Sequence, residues 1–71
     1  MAIEAYNKKR LGKRVKVWVR ETNEQGDTTF EQVFLLGLGE DEISHKGRVG
    51  FTDDDQARAA ARAYVLPEDF Q

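Results

Sequence analysis

Arg14-Val15-Lys16-Val17-Trp18-Val19-Arg20 alternates three valines with cations and one indole. A period of two is the mark of a strand with one face in a core and the other in water. Valine and tryptophan both favour a pleated backbone, so propensity and pattern agree. The valines belong to the interior. The opposite face then reads Arg14, Lys16, Trp18, Arg20, with side chains roughly 7 Å apart along the strand.

Upstream, residues 2–11 place Ile3, Tyr6 and Leu11 at loosely helical spacing, and Gly12 follows. This reads as a short helix or a basic arm over 1–12, carrying Lys8, Lys9, Arg10 and, just beyond it, Lys13. Downstream, residues 21–27 form a polar connection with Gly26 near its end, which suits a hairpin loop with a left-handed glycine. A second strand is expected over 28–36. Its last four residues, Val33-Phe34-Leu35-Leu36, are all apolar. Such a run predicts cover on both sides or a bulge, the cover coming from the N-terminal segment, the next loop or a second copy of the chain.

Glycines and acids make residues 37–47 a loop, with Ile43 as its anchor, and a third strand is expected at about 46–52, its Val49 and Phe51 facing the valines. Thr52-Asp53-Asp54-Asp55 then reads as a helix start: the threonine hydroxyl caps a free N–H, and the acids lie in the positive end of the helix dipole. The helix is rich in alanine and arginine, strong helix formers. It runs to Val65 with Ala57, Ala60, Ala61, Tyr64 and Val65 on one stripe. Pro67 stops it, leaving residues 67–71 as a tail. The expected fold is α+β: a three-stranded antiparallel β-meander packed on one C-terminal α-helix, with a 13–66 core in a single domain spanning 1–71.

Seventy-one residues hold one small core. No cysteine is present to staple it. No apolar run approaches the roughly 20 residues that cross a bilayer, and the first six residues lack signal-peptide order. The expectation is a soluble, cytoplasmic chain without membrane partners. The net charge of −2 conceals an asymmetry. Residues 1–20 carry seven Lys or Arg against one Glu, whereas residues 21–45 carry seven acids and neither Lys nor Arg. A local basic patch can therefore attract an anion despite the acidic whole.

Enzyme chemistry finds no footing. His45 lies in an acidic loop without a nucleophile or orienting partner nearby in sequence. Glu40-Asp41-Glu42 lacks the alternate-ligand spacing and central glycine of a calcium loop. Gly37-Leu38-Gly39 lacks the third glycine and following helix of a phosphate cradle. Helix capping accounts for Asp53-Asp54-Asp55. No enzyme, metal or cofactor is expected.

The basic strand is the functional lead. Lysine and arginine neutralise phosphates, arginine pairs with guanine, and tryptophan offers a stacking surface. Against this stands a solvated face in which Lys16 and Arg20 pair with Glu31 across the hairpin. The segment Gly47-Arg48-Val49-Gly50-Phe51-Thr52 with the following helix Asp53 to Tyr64 resembles the third strand and helix of the plant ethylene-response-factor DNA-binding domain. The layout is also similar to the arm-binding domains of tyrosine recombinases. In both, an Arg/Trp-bearing sheet face enters the DNA major groove, a role the resemblance gives to Arg14, Lys16, Trp18 and Arg20. Strand two departs from that pattern, with Glu31 and an apolar run where those families carry basic residues. The element order is similar to the double-stranded-RNA-binding domain too, but Asp53, Asp54 and Asp55 stand where that family needs lysines.

Two expectations follow. One is a DNA-binding module, as in mobile elements, whose partner is duplex DNA held by Arg14, Lys16, Trp18, Arg20, Lys8, Lys9, Arg10 and Lys13. The other is a protein-binding accessory or inhibitor of the phage or plasmid type. There Glu40, Asp41, Glu42, Asp53, Asp54 and Asp55 dock on a basic protein, and residues 33–36 mediate a homodimer.

Overall fold

Strand β2 (Arg14–Thr22) is the centre of an antiparallel sheet, with β1 (Ala2–Leu11) on one side and β3 (Thr28–Gly37) on the other. A helix, α1 (Asp54–Tyr64), and a short 3-10 turn (Pro67–Phe70) complete the chain. The structure is a computed structural model and describes residues 2–37 and 50–70. It has the expected α+β architecture of three antiparallel strands and one C-terminal helix. No described helix is long and apolar enough to cross a membrane.

The alternation in β2 behaves as its composition requires. Val15, Val17 and Val19 are buried, and Glu21 continues the same face. Across the hairpins this inner face receives Phe34 and Leu36 from β3, with Ile3, Ala5 and Phe30 partly buried against them. Helix α1 lies on it through Ala57 and Ala61, both fully buried. Two alanines on one stripe let helix and sheet approach closely, and Tyr64 and Val65 extend the contact at the helix end. Phe51 closes the core, edge-on to Phe30 with ring centroids 4.8 Å apart.

The N-terminal segment is neither helix nor arm; residues 2–11 are a strand. Gly12 at φ 61° opens a two-residue turn that brings Leu11 opposite Arg14, and pairing then continues to Ala2 opposite Thr22. A glycine at the first central position is what such a turn requires. The helical look of Ile3 and Tyr6 has a local cause. The register shifts between Ala5 and Asn7, so Tyr6 is the extra residue of a bulge and the alternation changes phase there.

The 23–27 loop forms as expected, with Gly26 at φ 86° and the Asn23 side chain accepting from the Gln25 and Asp27 amides. The apolar run of β3 divides across the pleat: Phe34 and Leu36 go inward, while Val33 and Leu35 stay half-buried on the outer face. In the expected third strand, residues 46–49 lie outside the described residues, and 50–52 form a bend. Ile43 and Val49 also lie outside them.

The helix start differs by one residue from the capping expected of Thr52. Asp53 is the N-cap, its carboxylate accepting from the Gln56 amide at 3.0 Å. Thr52 is used elsewhere. Its amide and hydroxyl donate to the two carboxylate oxygens of buried Glu21, at 3.0 and 2.6 Å. This contact fastens the entry to the helix onto the end of β2. The expected tail is instead a folded turn: Phe70 packs against the core, and Asp69 accepts from Lys8 of β1. Lys8 is far away in sequence, so nothing local announces the contact.

Candidate nucleic-acid interface

Because β2 is central, its outward side chains form the middle of the open sheet face. Strand register then sets four rows across that face. From the β1–β2 turn outward they read Leu11–Arg14–Gly37, Lys9–Lys16–Leu35, Asn7–Trp18–Val33 and Glu4–Arg20–Glu31. Arg14, Lys16, Trp18 and Arg20 therefore share one face, and hairpin formation adds residues to each.

The rows differ in electrostatics. In the outermost, the Arg20 guanidinium donates to the Glu4 carboxylate at 3.1 and 3.2 Å and lies 4.6 Å from the centre of the Tyr6 ring. Its partner is thus Glu4 of β1 rather than Glu31, which stands opposite it on β3. In the second row Lys9 and Lys16 stand directly opposite each other. Like charges so placed repel. Among the described residues, no carboxylate lies within ion-pair distance of either. The Lys16 ammonium lies 4.9 Å from the centre of the Trp18 ring, an attraction to the negative ring face.

The supposed arm is distributed by the pleat. Lys9 joins the outer face. Lys8 points inward, donating to Asp69 at 2.9 Å and to the Tyr64 carbonyl at 3.0 Å. It therefore does not contribute to the expected DNA-binding set. Arg10 is exposed and donates to the Gly12 carbonyl at 3.0 Å, and Lys13 is exposed in the turn itself. Lys9, Arg10, Lys13, Arg14 and Lys16 consequently gather at one end of the sheet, around the β1–β2 turn.

The acidic alternative fares differently. Asp53 caps the helix, Asp54 accepts from the Phe51 amide at 2.9 Å, and Asp55 is exposed in the first helical turn. Glu40, Asp41 and Glu42 lie outside the described residues. Among the described residues no three His, Asp or Glu side chains converge as metal ligands.

Sequence reasoning missed Tyr6, Asn7, Val33 and Leu35, which complete the outer face. For Val33 and Leu35 the signal was present, since Glu31, Val33 and Leu35 alternate as the other side of a strand does. Tyr6 carried no such signal, because the bulge that turns it outward is a property of pairing. No family model, curated protein or solved structure matches this chain.

Proposed function

We propose that this chain is a small DNA-binding module that holds phosphate at the β1–β2 end of its sheet and lays the outer face against the nucleic acid. The observation that carries this reading is the Lys9–Lys16 row. Folding places two cations opposite each other without a compensating carboxylate among the described residues, and a bound phosphate relieves that repulsion. Lys13 in the turn adds a third charge within the same end of the molecule. The described acids of the outer face, Glu4 and Glu31, stand in the row furthest from the β1–β2 turn. The net charge of −2 therefore does not by itself oppose a local anion site there.

A salt titration tests the proposal. Binding to a labelled DNA oligonucleotide should weaken linearly on a log–log plot, with a slope of about −0.7 to −0.9 per phosphate contacted. A combined Lys9→Ala, Lys13→Ala and Lys16→Ala variant should remain folded and lose most of that slope. A folded wild-type protein with no DNA binding at about 50 mM salt, where such contacts are strong, overturns the reading.

A further inference from the structure

We infer that the DNA this face takes is single-stranded, its bases stacked on Trp18 and Tyr6 and its backbone held by Lys9 and Lys16. The inference rests on the DNA-binding reading above and assigns its substrate class. It begins with the chemistry of the face's middle. The side chains that meet bases there are Trp18, Tyr6, Val33 and Leu35, with Asn7 beside the indole. Reading a base pair in a groove requires donors and acceptors aimed at its edge. The polar groups of this strip are few, namely the Tyr6 hydroxyl, the Trp18 indole N–H and the Asn7 amide, whose Oδ1 already accepts from the Lys8 amide at 2.9 Å. The rest is ring and aliphatic surface. Unpaired bases need only a π-face to stack on, and every base has one.

Charge distribution points the same way. A duplex groove presents phosphates along both of its walls. Among the described residues, the lysines of the face that lack a carboxylate partner, Lys9 and Lys16, stand at one end of it. Its far row carries Glu4 and Glu31 against the single Arg20, which disfavours a second phosphate chain. One backbone fits; two do not. The Lys16 ammonium over the indole supplies the exchange that binding needs. On moving to a phosphate it leaves the ring to a base, so one side chain couples backbone capture to stacking.

Trp18 is the only tryptophan in the chain, so its fluorescence reports on this site alone. The experiment compares a labelled oligothymidine of about 12 nucleotides, within the usual range of single-strand site sizes, with a duplex of equal length at the same salt. The single strand should bind more tightly and quench the indole. Trp18→Ala should weaken single-strand binding by about 5- to 150-fold with little change in salt slope, the range expected for one stacked base. Trp18→Phe should retain most of the affinity, which separates stacking from a general disturbance of the fold. Tighter duplex binding with an unquenched indole overturns this inference while leaving the DNA-binding reading standing. Absence of binding to either overturns both. A dimer in sedimentation whose indole is shielded from iodide without DNA assigns the face to a second copy and also overturns the inference.

Discussion

Lys8 and Lys9 are neighbours on β1, yet the pleat sends them into opposite electrostatic situations. Lys8 faces inward, where Asp69, the Tyr64 carbonyl and the Tyr64 ring, 5.1 Å from its ammonium, surround its charge. Lys9 faces outward opposite Lys16, with no carboxylate partner among the described residues. The same contrast holds for the two faces at large. Inward-facing Glu21 is matched by two donors from Thr52. On the outer face Arg20 is paired with Glu4, while Lys9 and Lys16 have no carboxylate partner among the described residues. Charge that stabilises the fold is compensated by the fold; charge that costs stability without compensation is the charge available to a ligand.

The severest challenge to that contrast is Glu21. If the inner-face charge is structural, Glu21→Ala removes the acceptor for both Thr52 donors and loosens the entry to α1. Hydrogen bonds to charged groups suggest a loss of about 2–3 kcal/mol, seen as a melting temperature lower by roughly 10–20 °C for a domain of this size. DNA affinity of the molecules that remain folded should be unchanged. Glu21→Gln keeps an acceptor for Thr52 and should lose less. A Glu21→Ala melting curve that superimposes on wild type would remove the structural half of the comparison.

The functional half is sharpened by Lys9→Glu, which should move stability and binding in opposite directions. Replacing a repelling cross-strand pair by an attracting one is worth about 0.2–1 kcal/mol, so the variant should melt slightly higher than wild type. Its DNA affinity should fall, because the phosphate site has lost a cation and gained a carboxylate. A variant that is both less stable and weaker in binding would show that Lys9 supports the fold, and the distinction from Lys8 would collapse.

How much of this was legible beforehand follows from which signals are local. Val15, Val17 and Val19 announced β2, Gly26 announced its loop, and the alanine stripe announced the helix face, each within a few residues. The common face of Arg14, Lys16, Trp18 and Arg20 followed from period two alone. Strand β1 was hidden because the bulge at Tyr6 breaks its alternation, and lysines occupy its second half. The Lys9–Lys16 row was hidden with it, since cross-strand neighbours exist only once Gly12 is recognised as a hairpin turn. Glu21 was unread because an alternation of valines ended by a glutamate looks like the end of a strand's buried face. Its donors lie 31 residues further along. The Thr52 cap was misassigned for a related reason: Thr52 and Asp53 are both good caps, and only the competing attraction of Glu21 decides between them.

The smallest effect concerns Asp69, the partner that distinguishes Lys8 from Lys9. The Leu66 amide, donating at 2.7 Å, and the Lys8 ammonium hold its carboxyl below the ordinary aspartate value. A lowered folded-state value means that the fold prefers the ionised form. The stabilising contribution is therefore complete above the unfolded-state value and is lost as pH falls through the folded-state one. Asp69→Asn should melt below wild type at neutral pH, with a gap that narrows on acidification and closes once Asp69 is protonated in both folded and unfolded chains. Lys9→Glu provides the control, since its stabilisation needs an ionised glutamate and no contact with the 3-10 turn. Thermal melts at pH 7 and at about pH 3, compared across wild type and both variants, decide the matter. A gap for Asp69→Asn that stays constant with pH would show that the Leu66 amide holds the turn through shape alone, and that Lys8 is compensated by the Tyr64 carbonyl and ring rather than by charge.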